Sequence, residues 1–311
     1  MDKFIVRISN EIGNQMFMYA STFAIAKKLN RSLYIDDETA FLARKNISKY
    51  ALNNFNLSTQ TAVKKDKFIG IFGYIKRKIL KKINPFLRKK VFYIEPKNFD
   101  KINNFDEKIF NITLAHKTYL EGYFETEKYF KDLKEVILNE FSFIDAMTFK
   151  KNKFYNELIK KNSVSICLRQ NRFIEGKNPK NYDLINLSNE FRDEQIKYIN
   201  KSIDYIKKKV DHPTFYLWSN DLDNIDMSQF KSDITKIYHN DDQKNIDKRA
   251  LDLFLISQCN HHITIPSSFN WWGAWLSSSK NGIICRPDDN FFSNFQINNK
   301  DFWPNNWIKI S

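Results

Sequence analysis

The sequence predicts an α/β fold of two domains, each built around a mostly parallel sheet. Segments with a strand pattern alternate with segments of helical periodicity, which is typical of βαβ units. This alternation occurs in both halves of the chain, which are divided near residues 150–162. The length of 311 residues fits two domains, because single hydrophobic cores stop growing at roughly 250–300 residues.

The first half opens with a strand, a helix and a second strand. Residues 4–8 form a β-rich run, residues 16–29 have a helical pattern, and residues 32–37 form another β-rich run. Two strands joined by a crossover helix lie parallel in one sheet. We therefore expect the N-terminal sheet to be parallel.

The second half repeats this scheme. Predicted strands span residues 163–168, 214–218 and 262–265, and predicted helices span residues 193–209, 248–258 and 270–277. Ligands of open α/β sheets bind beyond the carboxyl ends of the strands. The candidate site residues are therefore those that follow Ile8, Leu168, Trp218 and Ile265.

Composition excludes several classes of protein. The chain is 42% hydrophobic and holds 28 Phe, which is enough apolar material for packed cores and excludes global disorder. Its apolar runs are too short for a signal peptide or a membrane span. Cys167, Cys259 and Cys285 are far apart and odd in number. We therefore expect neither a disulfide framework nor a zinc site, and a cytoplasmic location.

The net charge of +14 is concentrated in one segment. Residues 64–90 hold eleven Lys or Arg and one acid, Asp66, which gives this segment a net charge of +10. A basic protein can bind nucleic acid, but the sequence lacks a recognised binding module. We therefore do not predict a nucleic-acid partner.

Polar residues follow the first three strand patterns. Gly13, Asn14 and Gln15 stand where a strand turns into a helix, a place that suits an anion, and side-chain amides can orient hydroxyls or phosphate oxygens. Alternatively, Gly13 permits the turn and Asn14 caps the helix. Arg169 presents a rigid, permanently charged fork to a diphosphate, unless it is a surface residue that ends its strand. Asn220 and Asp221 either bind a ligand or cap the next helix.

The last strand pattern is followed by Ser267 and Ser268, and a helix with Asp252 precedes it. Serines at a strand-to-helix turn offer hydroxyls and backbone N–H groups to a phosphate. Trp271, Trp272 and Trp275 recur at helical spacing and are predicted to be core residues. The sequence has no DxD motif in a suitable loop, and the adjacent histidines His261 and His262 are not spaced for one metal ion.

Together these segments resemble the bacterial α-1,2-fucosyltransferases of glycosyltransferase family 11. The resemblance rests on GNQMFMYA, VSICLRQNRF, YLWSND and DLFLISQCNHHITIPSSFNWWGAWL, and on residues 122–130, GYFETEKYF. It implies a GT-B-type fold of two Rossmann-like domains with mostly parallel sheets facing across a cleft. We place residues 1–155 in an N-terminal domain on the acceptor side and residues 156–311 in a C-terminal domain that binds GDP-fucose.

The resemblance also implies an activity. Such enzymes transfer L-fucose from GDP-fucose to the 2-hydroxyl of a galactose residue, for example in a lipopolysaccharide repeat, with inversion and without a metal ion or cofactor. Arg169 and the Ser267–Ser268 turn are then expected to hold the diphosphate, and Asp252 to bind guanine. Glu175 is a candidate catalytic base, with simple solvation as its alternative role.

One motif departs from the family pattern. Where the family has HxRRxD, this chain has CLRQNR at residues 167–172, which keeps Arg169 and loses the His, the second Arg and the Asp. The contacts that the family's His and Asp would make to guanine or to the loop are therefore not predicted for this chain. A related glycosyltransferase with a different linkage or nucleotide sugar is therefore the alternative function.

The basic segment contains an amphipathic pattern that the family does not explain. Phe72, Ile75, Ile79, Ile83 and Phe86 recur every three or four residues, with Lys and Arg at most positions between them. One interpretation is an ordinary helix with a solvated basic face. The other is peripheral contact of residues 64–90 with an anionic membrane at the inner face.

Overall fold

The computed structural model describes residues 1–42, 48–96, 104–174, 182–238, 246–295 and 299–311. It divides into two compact units. The first unit is Met1–Ile144 with Asn298–Pro304, and the second is Asp145–Ile297 with Asn305–Ser311. Residues 145–155 belong to the second unit rather than to the N-terminal one. They do so because Phe149 and Tyr155 pack against Phe254, with ring centroids 5.4 and 6.1 Å away.

The first unit contains a four-stranded parallel sheet. Its strands are β1 (Lys3–Arg7), β2 (Ser32–Asp36), β3 (Lys90–Ile94) and β4 (Leu114–Glu121), in the order β2-β1-β4-β3. Its helices are α1 (Ile12–Lys28), α2 (Gly70–Ile83) and α3 (Lys134–Glu140). The predicted parallel βαβ opening is confirmed, because β1 pairs in parallel with β2, Phe4 opposite Leu33.

Helix α1 lies in the core of the first unit. It is buried on all sides from Ile12 to Ala26 except at Asn14, so the two faces of the helix differ little in polarity. Phe4 of β1, Ile25 of α1 and Leu120 of β4 form one fully buried cluster. The opening motif is therefore held by burial of a whole helix against the sheet.

The second unit contains a six-stranded parallel sheet. Its strands are β5 (Ser163–Leu168), β6 (Thr214–Ser219), β7 (Ile234–Lys236), β8 (His261–Ile263), β9 (Ile284–Pro287) and β10 (Ile308–Ile310), in the order β10-β9-β8-β5-β6-β7. Its helices are α4 (Ala146–Phe149), α5 (Tyr155–Leu158), α6 (Tyr182–Lys207), α7 (Lys248–Gln258) and α8 (Ser268–Trp275). The predicted bounds of β5 and α7 match the structure, whereas α6 begins at Tyr182 instead of residue 193.

Short 3₁₀ turns connect these elements. They are Leu52–Asn54, Lys64–Asp66, Asn84–Phe86, Glu107–Phe110, Glu127–Tyr129, Lys131–Leu133, Met227–Gln229 and Ser293–Phe295.

The core of the second unit surrounds β5, every residue of which is buried. This pattern is typical of a central strand covered on both faces. Trp271, Trp272 and Trp275 of α8 are buried and in mutual ring contact, with centroids 4.9–6.0 Å apart, so their prediction as core residues is confirmed. Over the residues that the structure describes, no helix is long and apolar enough to cross a membrane.

Candidate active site

A cavity of about 300 Å³ opens at the carboxyl edge of the second sheet. Strands β5 and β6 end at this cavity, and α7 and the start of α8 complete its wall. Its lining residues are Cys167, Leu168, Arg169, Trp218, Ser219, Asn220, Arg249, Asp252, Ser267, Phe269 and Asn270. The cavity is therefore at the edge where open parallel sheets bind ligands.

Arg169 follows β5 directly, and its backbone is fixed on both sides by one buried side chain. Its N–H donates to Oε1 of Gln195 over 2.9 Å, and its carbonyl accepts from Nε2 of Gln195 over 3.0 Å. Gln195 is fully buried in α6. This pair of hydrogen bonds holds the Arg169 backbone in place while the residue lines the cavity.

The residues after Arg169 are held in a similar way. Asn220, at the end of β6, accepts the Gln170 N–H over 2.8 Å and donates to its carbonyl over 3.0 Å. Arg172 donates to the carbonyl of Pro266 over 3.1 Å and stacks on Phe191, 4.6 Å from its ring centroid. The loop after β5 is thus tied to the ends of β6 and β8.

Helix α7 brings a cation and an anion to the cavity, Arg249 and Asp252. These residues are three apart, so they share one helix face. Asp247 precedes the helix and caps it by accepting the Arg249 N–H over 3.0 Å. It also pairs with the Arg249 guanidinium, with 3.0 Å between Nη2 and Oδ2, which orients that side chain at the cavity wall.

The N-terminus of α8 forms another part of the wall. Ser267 is the residue before the helix and has an extended backbone, and Phe269 and Asn270 lie in its first turn. The first N–H groups of a helix have no intrahelical acceptor, and the helix dipole adds partial positive charge there. This wall therefore suits an anion.

Two guanidinium groups, a helix N-terminus and one carboxylate give the cavity its chemistry. Burial, together with the nearby Asp252 carboxylate, raises the pKa of the Cys167 thiol well above its usual value. Cys167 therefore stays a neutral thiol and is a poor nucleophile. The arrangement suits binding of a diphosphate rather than covalent catalysis.

The structure brings together several residues that the sequence singled out. Arg169, Asn220, Asp252 and Ser267 line the same cavity. Asp221 instead accepts two hydrogen bonds of 3.0 Å from Asn224. Ser268 is the first residue of α8, next to the lining residue Ser267. Glu175 lies outside the described residues.

The remaining candidates, Gly13, Asn14 and Gln15, lie in the first turn of α1, in the first unit. Gln15 is fully buried and donates to the carbonyls of Asn10 and Lys49 over 2.6 and 2.8 Å. Its oxygen accepts the Ala51 N–H over 2.8 Å. This geometry gives Gln15 a structural role, because its amide holds two loops against α1.

Asn14 links the opening motif to a second one. It donates to Oε1 of Glu125 over 2.6 Å, within the segment GYFETEKYF. In that segment Gly122 packs so closely on Glu95 that a Cβ at Gly122 would lie 2.3 Å from the Cβ of Glu95. The Glu95 carboxylate accepts the N–H groups of Tyr123 and Phe124 over 2.6 and 3.1 Å.

A second cavity, of about 400 Å³, lies at the carboxyl edge of the first sheet. Among its lining residues are Arg7, Arg77, Lys81, Glu95 and Glu121. A cavity of about 460 Å³ is instead lined by Met1, Arg31 and Ser32, near the amino ends of β1 and β2. It is larger, but parallel sheets bind ligands at the opposite edge.

Sequence reasoning missed Arg249 and Gln195. Arg249 has a signal in the sequence, because it lies one helical turn before Asp252 on the same face. The sequence signal for Gln195 is weaker: it occupies a position of the buried stripe of α6 that includes Phe191 and Ile199. A polar residue in an apolar stripe indicates a buried side chain that forms hydrogen bonds. Among the described residues, no group of three or more His, Cys, Asp or Glu is placed to hold a metal ion.

The two parallel sheets and the site at a carboxyl edge define a protein of the GT-B class, which confirms the predicted fold class. A solved structure of fucosyltransferase NodZ from Bradyrhizobium matches with a TM-score of 0.53 and 12% identity, over 92% of this chain and 95% of that one. A structure of an Arabidopsis thaliana FUT1 mutant with GDP matches with a TM-score of 0.51 and 11% identity, over 98% and 76%.

The chain belongs to glycosyl transferase family 11, whose family model matches residues 1–311. It is 27% identical over 312 aligned residues to an α-1,2-colitosyltransferase of Escherichia coli, covering 98% of each chain. It is 24% identical to the O-antigen biosynthesis glycosyltransferase WbnK of Escherichia coli, over 97% of this chain and 99% of that one. The predicted family is thus confirmed, and the protein is a glycosyltransferase.

Proposed function

We propose that this glycosyltransferase moves L-fucose from GDP-fucose to the 2-hydroxyl of a galactose residue in a glycan such as an O-antigen repeat, with inversion. The observation that carries the proposal is the cavity at the carboxyl edge of the second sheet, which joins Arg169, Arg249, Asp252 and the N-terminus of α8. Support for the donor comes from the GDP named with the FUT1 structure, and for the pathway from the O-antigen glycosyltransferase relative.

Each lining group has a role in this proposal. The guanidinium groups of Arg169 and Arg249 and the first-turn N–H groups of α8 hold the diphosphate, because they are fixed donors for an anion. The Asp252 carboxylate accepts from guanine, whose ring N–H and amino group are adjacent donors. The donor thus lies along the carboxyl ends of β5 and β6.

The reaction exchanges one bond at the anomeric carbon. The acceptor oxygen forms a bond to that carbon on one face while the bond to the diphosphate oxygen breaks on the other, through an oxocarbenium-like transition state. The departing GDP takes the electron pair, and Arg169 and Arg249 stabilise the charge that develops on it. The acceptor proton passes to a base, for which Glu175 remains the candidate. The proposal needs no metal ion or cofactor besides the donor.

A second candidate donor is GDP-colitose. Colitose is fucose without its 3-hydroxyl, and the relative that is 27% identical is named a colitosyltransferase. The two donors share the nucleotide and the diphosphate, so the cavity residues serve both equally. Discrimination between them depends on whether a protein group hydrogen-bonds the 3-hydroxyl, since an unsatisfied polar group disfavours the deoxy sugar.

The test is a donor panel with linkage analysis. The purified chain is incubated with GDP-fucose, GDP-colitose, GDP-mannose or UDP-galactose and a galactoside acceptor, and the product linkage is determined by NMR. We expect GDP release with GDP-fucose and a 1,2-linked product, whereas turnover with GDP-colitose in its place would favour the second candidate. Turnover with UDP-galactose alone, or a product linked through another hydroxyl, would contradict the proposal.

A further inference from the structure

Helix α2 carries its apolar residues on the outside of the protein. Phe72 and Phe86 keep 89% and 87% of their surface exposed, and Ile75, Ile79 and Ile83 are exposed as well. These residues recur every three or four positions, so they form one stripe along the helix and the 3₁₀ turn that follows it. The segment is thus a helix of the first unit with a solvated basic face, as the first interpretation expects, but its apolar stripe is exposed as well.

The opposite face of α2 holds the helix to the first unit. A Cβ at Gly73 would lie 2.4 Å from the backbone carbon of Phe68, so the first turn of the helix packs closely on the segment that leads into it. Arg77 donates to both oxygens of Glu121 over 2.6 and 2.5 Å, and Lys81 donates to one of them over 2.7 Å. Burial opposes ionisation of Glu121, yet its pKa lies below its usual value because of these two cations.

This partly buried ion cluster fixes which way the helix faces. Turning the apolar stripe inward would remove Arg77 and Lys81 from Glu121 and leave a largely buried carboxylate without these cations, which is unfavourable. The exposed stripe is thus a built feature of the first unit rather than the result of a loosely attached segment.

The exposed charge around the stripe is positive. Lys76, Lys78 and Lys82 are exposed on α2, and Lys64, Lys65, Arg88 and Lys89 are exposed on either side of it. Asp66, the acid of this segment, is buried and paired with Lys3 and Lys117 over 2.5 and 3.0 Å. An apolar stripe between lysines matches an anionic lipid surface, which offers headgroup charge and acyl chains together.

We propose that α2 is a peripheral membrane anchor that lies in the headgroup region of an anionic bilayer, with Phe72, Ile79 and Phe86 inserted and the lysines on the phosphates. The charge pattern favours this occupant over two others. Nucleic acid would pair with the lysines but leave the aliphatic stripe in water. A second copy would bring two positive surfaces together.

The anchor has a consequence for the acceptor, and this step rests on the proposed function. Arg77 and Lys81 line the cavity of about 400 Å³ at the carboxyl edge of the first sheet, while the outer face of the same helix carries the anchor. Membrane docking therefore places this cavity beside the lipid surface. A glycan acceptor attached to a membrane lipid fits that position.

The test is sedimentation of the full chain with vesicles of phosphatidylcholine alone or mixed with phosphatidylglycerol, at low and raised salt. One variant removes charge with Lys76→Gln, Lys78→Gln and Lys82→Gln, and a second removes apolar area with Phe72→Ser, Ile79→Ser and Phe86→Ser. Arg77 and Lys81 are kept because they neutralise Glu121. The matched control changes Lys131, Lys208 and Lys209, which are exposed elsewhere, to Gln.

We expect wild type and the control to bind the anionic vesicles, and binding to weaken with salt. The charge variant should bind roughly a hundredfold more weakly, because each lysine near an anionic surface contributes roughly fivefold. The apolar variant should lose most of its binding even to anionic vesicles, while circular dichroism shows both variants folded.

Equal binding to neutral and anionic vesicles, or unchanged binding by the two variants, would overturn the proposal. Self-association through the apolar surface would also overturn it. In that case light scattering would show a dimer of the wild type but not of the apolar variant, and the wild type would not bind vesicles. Tight binding to nucleic acid without binding to vesicles would do the same. Vesicle binding needs neither donor nor acceptor, so its failure leaves the proposed function untouched.

Discussion

The substitution Arg169→Lys tests the assignment of the diphosphate site. Because the Arg169 backbone is held by Gln195, the variant should keep its fold and its loop conformation. Lysine keeps the charge but replaces a planar fork by a point donor, so one charge-assisted hydrogen bond to the diphosphate is lost. Such a bond contributes roughly 2–3 kcal/mol, and kcat/KM should therefore fall by roughly 30- to 150-fold.

The assay measures GDP release at several donor concentrations, together with the melting temperature. Arg192→Lys is the matched control, because its guanidinium contacts only Asn189 and Asp193 of its own helix among the hydrogen bonds described. We expect the control to retain full activity and both variants to retain the melting temperature. A near wild-type kcat/KM for Arg169→Lys would remove Arg169 from the site.

Three further outcomes are expected. Gln195→Leu should lower kcat/KM more than tenfold, because Arg169 loses two backbone hydrogen bonds. In this variant the further change Arg169→Lys should lower kcat/KM much less than it does in wild type. Additive losses in the double variant would show that Gln195 does not act through Arg169. Transfer should continue at its original rate after EDTA treatment, because Arg169, Arg249 and α8 supply the positive charge; loss of activity restored by magnesium or manganese would refute this. His262 is buried, and burial, with a smaller contribution from His261, lowers its pKa to about 3. The unfolded chain therefore takes up a proton below about pH 6.5 that the folded chain does not, and the free energy of unfolding should fall by about 2 kcal/mol from pH 7 to pH 5. Denaturant titrations should show this fall in wild type and a smaller one in His262→Gln; equal slopes would contradict the assignment.

Local patterns identified the strands that are buried along their length. β5 and α7 have the predicted bounds, because a continuous apolar run and a well-bounded helical pattern leave little choice of structure. The two strands at the margins of the second sheet were not predicted. β7 and β10 are three residues long and only partly buried, so their existence depends on neighbouring strands rather than on their own composition.

The site was predictable where a polar residue ends a strand. Arg169, Asn220, Asp252 and Ser267 were named from strand ends and motifs, and they line one cavity. Gln15 shows the limit of this reasoning, because the same glycine-amide motif that suits a ligand also suits two loop carbonyls. Only the packing around α1 shows which partners its amide has.

The sequence by itself determined an α/β fold of two domains with parallel sheets, since strand and helix periodicities are local properties of the chain. Its motifs carried the resemblance that implied the family. It also determined that residues 70–86 are amphipathic. The direction in which that helix faces was decided by the tertiary structure alone. Glu121, distant in sequence, pairs with Arg77 and Lys81, and pairing this largely buried carboxylate turns the apolar stripe outward. A hydrophobic pattern shows that a helix has an apolar face, but the residues that pair with the opposite face decide whether the apolar face is directed to the core or to solvent.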